Sequence, residues 1–263
     1  MSSPEAAIRA YYHALFQAWG AQDWWPARSR FEVIVGAYLT QNTNWINVEH
    51  ALRNLRRAGV LNIAGIRNTP LPELEKMVRP AGYFRQKARR LKTFVEFLDG
   101  RYEGSLMRMF ARPTTGLRQE LLALTGIGPE TADSILLYAG GHPVFVVDAY
   151  TRRIMERHRI VSKNVGYEDM RRFFENALAK TAGTWGVREM LRPGPLSSIP
   201  PRSAMSARRR HKYVLPKAPP LARVFDECHA LIVMVGKHYC LKNEAHCQGC
   251  PLERFLPKKT LSN

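Results

Sequence analysis

The chain has 263 residues, with 40 lysines and arginines against 22 aspartates and glutamates, which gives a formal charge of +18 at pH 7. This length suffices for one large domain or for two lobes with a sizeable core. The charge favours a polyanionic partner such as nucleic acid, because cationic side chains gain affinity by displacing counterions from phosphates. No uninterrupted apolar stretch indicates a signal peptide or a membrane span, so we expect a cytoplasmic protein.

Helical periodicity runs through most of the chain. The clearest apolar stripe covers 31–39, and Ser29 and Glu32 stand in capping-box spacing at its start. No segment shows strand-like alternation bounded by hairpin turns, and residues 143–147 indicate an apolar connector, so the sequence predicts an all-α fold. The other predicted helices lie, in chain order, at 5–18, 46–58, 72–79, 86–100, 117–124, 130–140, 149–158, 167–180 and 221–236.

The predicted helices at 117–124 and 130–140 are joined by a turn within LTGIGPETADSILLY, which contains Gly126 and Gly128. Two glycines let the backbone approach a partner closely, and N–H groups at the start of the second helix suit a phosphate. Such turns also occur for packing alone. Glu130, just past the turn, is either a first-turn acid that complements the helix dipole or a functional residue.

Asp148 stands at the start of the predicted helix 149–158, behind an apolar run and twenty residues after Gly128. Taken alone, an aspartate in this place usually caps the helix through its side-chain oxygens.

The last third of the chain contains a composition change and a cysteine cluster. Residues 191–220 are rich in proline, serine and arginine without an apolar period, which predicts a flexible insertion. Cys240, Cys247 and Cys250 follow with C-x6-C-x2-C spacing, which favours a metal site in a reducing compartment over a disulfide framework. Cys228 lies in the predicted helix 221–236 and is expected to be a buried small hydrophobe.

The order of these motifs resembles the endonuclease III superfamily of DNA glycosylases, with its helix-hairpin-helix and Gly/Pro–Asp signature. LTGIGPETAD and VVDAYTRRI carry the resemblance, supported by FEVIVGAYLTQNT, GYFRQKARRL and the terminal cysteines, and it covers nearly the whole chain except 191–220. It implies two helical lobes: a barrel with the hairpin over 29–146, and a second lobe of 1–28 plus 147–263 with the cysteine loop. The implied partner is double-stranded DNA with a damaged base, bound by a nucleoid-associated monomer.

The resemblance also implies the catalytic residues. The family's aspartate stabilises the positive charge that develops on the sugar or orients water, and Asp148 matches it. Members that also cut the backbone have a nucleophilic lysine where this chain has Glu130. Since a carboxylate cannot form a Schiff base, a glycosylase without that lyase activity is implied.

The base pocket resembles that of the family's 3-methyladenine branch, where an aromatic–Pro element and a later aromatic sandwich the base. Trp24, Trp25 and Pro26 match the first element and Trp45 matches the second. An N3-alkylated purine is cationic, so indole faces would attract it through cation–π interaction. Tryptophans also fill cores, and we expect Trp24 and Trp45 to form the pocket and Trp25 to be structural.

Two further residues match DNA contacts of the family, and a group of basic residues is a candidate for phosphate contacts. Gln41 matches the residue that fills the gap left by the extruded base, and Tyr83 matches a second wedge residue. Lys87, Arg89 and Arg90 would contact phosphates or form a solvated face, and the turn glycines Gly126 and Gly128 would let the hairpin backbone approach the DNA. The plain alternatives are a polar helix end for Gln41 and a half-buried aromatic for Tyr83.

The cysteines imply a structural [4Fe–4S] cluster held by Cys240, Cys247 and Cys250. Leu256 stands where the family has its fourth cysteine, so the fourth ligand would be solvent or another side chain. Zinc with His246 or His238 as the fourth ligand, and a loop that binds no metal, are the alternatives.

The sequence therefore predicts a monofunctional DNA glycosylase of base excision repair that excises alkylated purines, 3-methyladenine in particular. One alternative is a glycosylase for mismatched uracil, thymine or adenine. The other is a binder of damaged DNA without catalysis, which would use only the hairpin and the charge.

Overall fold

The computed structural model describes residues 3–22, 27–184 and 218–257. Regular structure in these ranges is helical, which confirms the all-α prediction, and the one strand-like pairing is an isolated bridge between Cys240 and Ala245. None of the helices in these ranges is long and apolar enough to cross a membrane. The predicted insertion at 191–220 lies outside the described residues except for its last three.

Twelve α-helices lie in the described ranges. The short helices Ile63–Asn68 and Leu106–Phe110 are absent from the predicted set, because each has at most six residues and shows too little periodicity to be recognised. A π-helical segment, Ile135–Gly140, directly continues the helix Pro129–Ser134. The bounds are α1 Pro4–Trp19, α2 Arg30–Thr40, α3 Trp45–Arg57, α4 Ile63–Asn68, α5 Leu71–Val78, α6 Phe84–Tyr102, α7 Leu106–Phe110, α8 Thr114–Leu122, α9 Pro129–Ser134, α10 Ala149–Arg157, α11 Tyr167–Thr184 and α12 Pro220–His238.

The described chain divides into two compact units. The hairpin unit comprises residues 27–142, and the aspartate unit comprises residues 3–22, 143–184 and 218–257. The domain boundaries expected from the sequence, at 29 and 146, stay a prediction.

The hairpin unit is built around α2, whose residues from Phe31 to Leu39 are all buried. A helix that is apolar on every side belongs in the centre of a core, and α2 packs against α3, α6, α9 and the π-helical segment. The ring of Tyr38 meets Phe94 of α6 edge to face, with 5.9 Å between centroids.

The predicted capping box of α2 forms only in part. Ser29 Oγ accepts from the N–H of Glu32 at 3.2 Å, as predicted. The buried Glu32 carboxylate instead accepts from Arg56 of α3 at 2.6 Å. An ion pair with a neighbouring helix thus replaces the local return bond to Ser29, because burial of the carboxylate demands a charged partner.

The aspartate unit packs α1, α10, α11 and α12 together. Residues 143–147 form an extended connector without regular structure, as predicted, and Phe145 within it stacks on Phe174 of α11 with 4.2 Å between centroids. The N–H of Phe145 donates to Glu175 at 3.0 Å and that of Val147 to the Tyr167 hydroxyl at 3.4 Å. These contacts hold the connector that leads into α10.

Candidate active site

The hairpin turn joins α8 to α9 through residues 123–128. Gly126 has a φ of +83°, in the left-handed region that favours glycine, and a Cβ there would stand 2.0 Å from Nε of Arg90. Gly128 has a φ of −94°, and a Cβ there would meet no atom within 4 Å. The folded chain therefore requires glycine at 126, whereas at 128 the absence of a side chain leaves exposed backbone accessible to a partner.

A buried ion pair holds the two helices of the hairpin together. Arg118 of α8 donates through Nε and Nη2 to the two carboxylate oxygens of Asp133 of α9, at 2.6 and 3.1 Å. Asp133 is fully buried. This bidentate geometry sets the angle between the helices as well as stabilising the pair.

Gln41, the predicted gap-filling residue, ends α2 and bonds to the hairpin. Its Nε2 donates to the carbonyl O of Gly126 at 2.9 Å and to Thr131 Oγ1 at 3.0 Å. Its Oε1 accepts from Arg90 Nη1 at 2.6 Å. Arg90, which the sequence suggested only as a phosphate contact or a solvated residue, thus links Gln41 to the turn.

The prediction that Lys87 contacts phosphates is wrong for this structure. Its side chain is 1% exposed, and Nζ donates to the carbonyl oxygens of Leu39 at 3.0 Å and Ala81 at 2.7 Å. Leu39 lies in the last turn of α2, where carbonyls have no partner within the helix. Lys87 therefore caps the C-terminus of α2, which places its positive charge at the negative end of the helix dipole.

Tyr83, the predicted second wedge residue, precedes α6 and is one of the exposed large hydrophobic residues, with 66% of its surface accessible. Its φ of 44° and ψ of 33° lie in the left-handed region, which is uncommon for a residue with a side chain. The backbone thus presents an aromatic ring to solvent at the start of a helix.

Asp148 caps the N-terminus of α10. Its Oδ1 accepts from the backbone N–H of Thr151 at 2.7 Å and from the Thr151 hydroxyl at 2.9 Å. Burial raises the pKa of the Asp148 carboxyl, but His229 and Thr151 outweigh burial, so this pKa lies below its ordinary value. The carboxylate is therefore held as an anion at neutral pH.

His229 is a residue near Asp148 that the sequence did not single out. It lies on α12, is 5% exposed, and its Nε2 is 3.5 Å from Oδ2 of Asp148. The available signal was a histidine inside the apolar stripe 221–236, since a buried imidazole requires a polar partner.

Trp45 begins α3 and is half-buried. Its indole N–H donates to Oε1 of Glu49, one helical turn later, at 3.0 Å, which orients the ring. The other predicted pocket residues, Trp24, Trp25 and Pro26, lie outside the described residues. Glu130, in contrast, is described, and it is exposed in the first turn of α9.

Comparison with known proteins decides the family. The sequence model of the HhH-GPD superfamily of base excision DNA repair proteins matches residues 35–180, a span that contains both the hairpin and Asp148. The chain belongs to the HhH-GPD superfamily. This confirms the resemblance found in the sequence and makes the protein a DNA glycosylase of base excision repair at the level of the superfamily.

Individual relatives of this HhH-GPD protein cover much of its length. It is 36% identical to a Methanocaldococcus jannaschii protein provisionally named a DNA repair glycosylase, over 96% of either chain. It is 30% identical to the mouse endonuclease III-like protein 1 over 88% of this chain and 61% of the mouse protein. The crystal structure of the Helicobacter pylori 3-methyladenine DNA glycosylase MagIII, bound to 1,N6-ethenoadenine, superposes with a TM-score of 0.67 and 25% identity, covering 90% of this chain and 98% of that one.

The three C-terminal cysteines of the HhH-GPD protein lie in a loop that follows α12. Cys240 is buried, whereas Cys247 and Cys250 are half-buried. Burial raises the pKa of the Cys250 thiol, and the nearby thiols of Cys247 and Cys240 add to the effect. The loop therefore brings the three side chains into one neighbourhood.

These side chains do not form a metal site as they stand. Among the described residues, no three histidine, cysteine, aspartate or glutamate side chains form a group that could hold a metal ion. The Nε2 atom of His246 lies 3.9 Å from the Oε2 atom of Glu244. Leu256, at the position of the family's fourth cysteine, has no atom that could bind a metal ion. The predicted cysteine cluster is thus not confirmed, and its [4Fe–4S] group or zinc stays a prediction.

Two arginines of α10 hold the cysteine loop. Arg153 donates to the carbonyl oxygens of Cys240 at 2.8 Å and Gly236 at 3.2 Å. Arg157 donates to Sγ of Cys240 at 3.3 Å and to the carbonyl O of Leu241 at 2.7 Å. The helix that Asp148 caps is therefore bonded directly to the loop.

Proposed function

We propose that this protein is a monofunctional DNA glycosylase that removes alkylated purines, with 3-methyladenine as the principal substrate. The observation that carries the proposal is Asp148, a mostly buried carboxylate whose pKa is held low and whose Oδ1 is fixed by Thr151. Cleavage of an N-glycosidic bond develops positive charge on the sugar, and a fixed anion stabilises that charge without reorganising.

An alkylated purine suits this site because an N3-alkylated base is already cationic and leaves without being protonated. An anion that stabilises the sugar then suffices for cleavage, and no second carboxyl group must act as the acid. Trp45 supports this substrate, since an indole is the best aromatic partner for a cation and its N–H is oriented by Glu49. The similarity to the H. pylori enzyme, named a 3-methyladenine DNA glycosylase, supports the same substrate. We assign Trp24 and Pro26 to the facing side of the pocket on the sequence resemblance alone, with Trp25 as structural.

The absence of lyase activity is part of the proposal. Glu130 is exposed in the first turn after the hairpin, where the resemblance would place a nucleophilic lysine. A carboxylate cannot form the imine that precedes strand cleavage. We therefore expect an intact abasic strand as the product.

DNA binding is proposed to use the hairpin, Gln41 and Tyr83. Gly128 is exposed and no atom lies within 4 Å of where its Cβ would be, so a partner can approach it, and Tyr83 presents an exposed ring that would insert into a base stack. Gln41 would leave its bonds to Gly126 and Thr131 to fill the space of the extruded base. Extrusion of the base is required because its glycosidic bond is inaccessible within the stack.

The test is release of 3-methyladenine from methylated duplex DNA, with strand breaks measured separately. The parent protein should release the base and leave the strand intact, and Asp148→Asn should lower the rate by about a hundredfold or more while DNA binding persists. Release of uracil or of mismatched bases instead would contradict the substrate assignment. Binding without release of any base would favour the non-catalytic alternative, and strand cleavage through a trapped imine would contradict the assignment of Glu130.

The cysteine loop has no part in this chemistry. Metal analysis of the purified protein distinguishes the proposed [4Fe–4S] group, which requires iron and sulfide, from zinc. A metal-free protein with full glycosylase activity would show that the loop is a metal-independent element.

A further inference from the structure

We propose that His229 is a positioning residue for Asp148, holding the second carboxylate oxygen in the orientation that the glycosylase reaction uses. This inference rests on the proposed catalytic role of Asp148. Its basis is the 3.5 Å approach of His229 Nε2 to Oδ2, made from α12, while Thr151 of α10 bonds to Oδ1.

The two carboxylate oxygens of Asp148 are contacted by residues of two different helices, α10 and α12. The backbone N–H and hydroxyl of Thr151 both reach Oδ1, so they anchor one end of the carboxylate and leave its plane able to turn about that end. His229, which is 81 positions later in the sequence, lies with its Nε2 3.5 Å from the other oxygen, Oδ2, and is placed to restrain that end. The plane of the carboxylate is therefore set only when α10 and α12 are packed together, as they are in the aspartate unit.

The surroundings of His229 explain why this contact matters. The imidazole side chain is 7% exposed and lies against the ring of Phe145, with centroids 6.2 Å apart. The Asp148 side chain is 13% exposed. Because both side chains are largely buried, water competes weakly for their interaction. An imidazole N–H beside a buried carboxylate therefore orients that carboxylate more strongly than it would on the protein surface.

A purely structural role would not require an imidazole. One turn before and one turn after position 229, α12 holds the buried apolar residues Phe225 and Ile232, and an apolar side chain at 229 would continue this face. A buried polar ring costs free energy unless a partner compensates it, and Asp148 is the acidic partner that it approaches. A buried histidine at this position is explained if its contact with Asp148 orients the carboxylate for the reaction.

The test is a double-mutant cycle on the rate of 3-methyladenine release with enzyme in excess over methylated duplex DNA. Its variants are His229→Leu, His229→Gln, Asp148→Asn and the double variant His229→Leu with Asp148→Asn. Ile232→Val on the same helix is the control for packing. DNA affinity and the midpoint of thermal unfolding are measured for each variant.

We expect His229→Leu to slow release by about tenfold or more with unchanged DNA affinity. His229→Gln should recover most of the rate, because its amide N–H stands near the position of Nε2. In the Asp148→Asn background, His229→Leu should have no further effect, because it acts through the carboxylate. Ile232→Val should leave the rate unchanged.

Three results would overturn the inference: an unchanged rate for His229→Leu, the same slowing in both backgrounds, or a glutamine variant no faster than the leucine variant at equal thermal stability. Failure of the proposed function is seen separately. If Asp148→Asn releases 3-methyladenine as fast as the parent, the role of Asp148 itself is wrong, whatever His229 does.

Discussion

Lys87 places a positive charge inside the hairpin unit, at the C-terminal end of α2. Its burial lowers the pKa of the ammonium group to about 8, and the nearby Arg90 contributes to the same shift. Two carbonyl oxygens, of Leu39 and Ala81, accept its hydrogen bonds. The ammonium group of Lys87 is thus used inside the fold and is not available to contact DNA.

Replacing Lys87 by methionine should therefore lower the free energy of unfolding by about 2 kcal/mol, since two buried carbonyls lose a charged donor. Lys92→Met on the same helix is the control. Lys92 donates to only one carbonyl, that of Arg67, in an exposed position, and its loss should cost under about 0.5 kcal/mol. Chemical denaturation measures both, and equal losses would contradict the assigned role of Lys87.

The same residue gives a pH dependence. The folded-state pKa of about 8 is below the ordinary value of 10.5, so the unfolded chain binds more protons between these two values. Below about pH 8 the folded protein therefore bears the full cost of burying the charged ammonium, and this cost disappears as the pH rises to 10.5, whereas the two hydrogen bonds to carbonyls persist in both protonation states. The difference between the parent and Lys87→Met should accordingly grow from pH 8 to pH 10, and a constant difference would contradict the shifted pKa.

At the scale of elements, the hairpin depends on contacts from outside its own two helices. Arg90 of α6 occupies the space beside Gly126, and Gln41 at the end of α2 bonds to the carbonyl of that glycine. In the aspartate unit, α10 similarly bonds to the cysteine loop through Arg153 and Arg157. The hairpin is thus held by residues of α6 and α2, and the cysteine loop is held by residues of α10.

The two turn glycines should respond differently to alanine. Gly126→Ala places a Cβ against Arg90 at a φ of +83°, so it should lower the free energy of unfolding by about 1–3 kcal/mol. Gly128→Ala has room and an ordinary φ, so it should leave thermal unfolding nearly unchanged while lowering DNA affinity. If Gly128→Ala keeps full affinity, the backbone at 128 does not contact DNA.

For the whole molecule, the charge of +18 predicts DNA binding that weakens steeply with salt, because each neutralised phosphate adds about 0.9 to the slope of log K against log salt. Arg89 and Lys87 lie on the same helix, but Arg89 is exposed and Lys87 is buried. Comparing variants of the two distinguishes a surface charge that can reach phosphates from a buried charge that cannot. Arg89→Met should reduce the slope by about one, whereas Lys87→Met should not change it. Binding titrations at several salt concentrations measure this, and a reduced slope for Lys87→Met would restore its predicted phosphate contact.

Local patterns were enough to predict the helical fold, the hairpin and the family. Helical periodicity is a property of short segments, and the spacing of Gly126, Gly128 and Asp148 along the chain does not depend on packing. The same locality explains why Asp148 was recognised both as a cap and as a candidate catalytic group. Its bond partner, Thr151, is only three residues away.

The partners of these residues were decided by tertiary structure. Lys87 falls in phase with the apolar residues Leu91 and Phe94 of α6, whereas the exposed Arg89 does not, so its burial could be read from the sequence. The partners of its ammonium could not, because only the approach of α2 to α6 brings the carbonyl of Leu39 to it. His229 reaches Asp148 from α12, 81 positions later in the sequence, so no spacing rule connects them. Side-chain pairing between distant segments depends on how helices pack, because the packing, and not the order of residues, determines which polar groups are buried together.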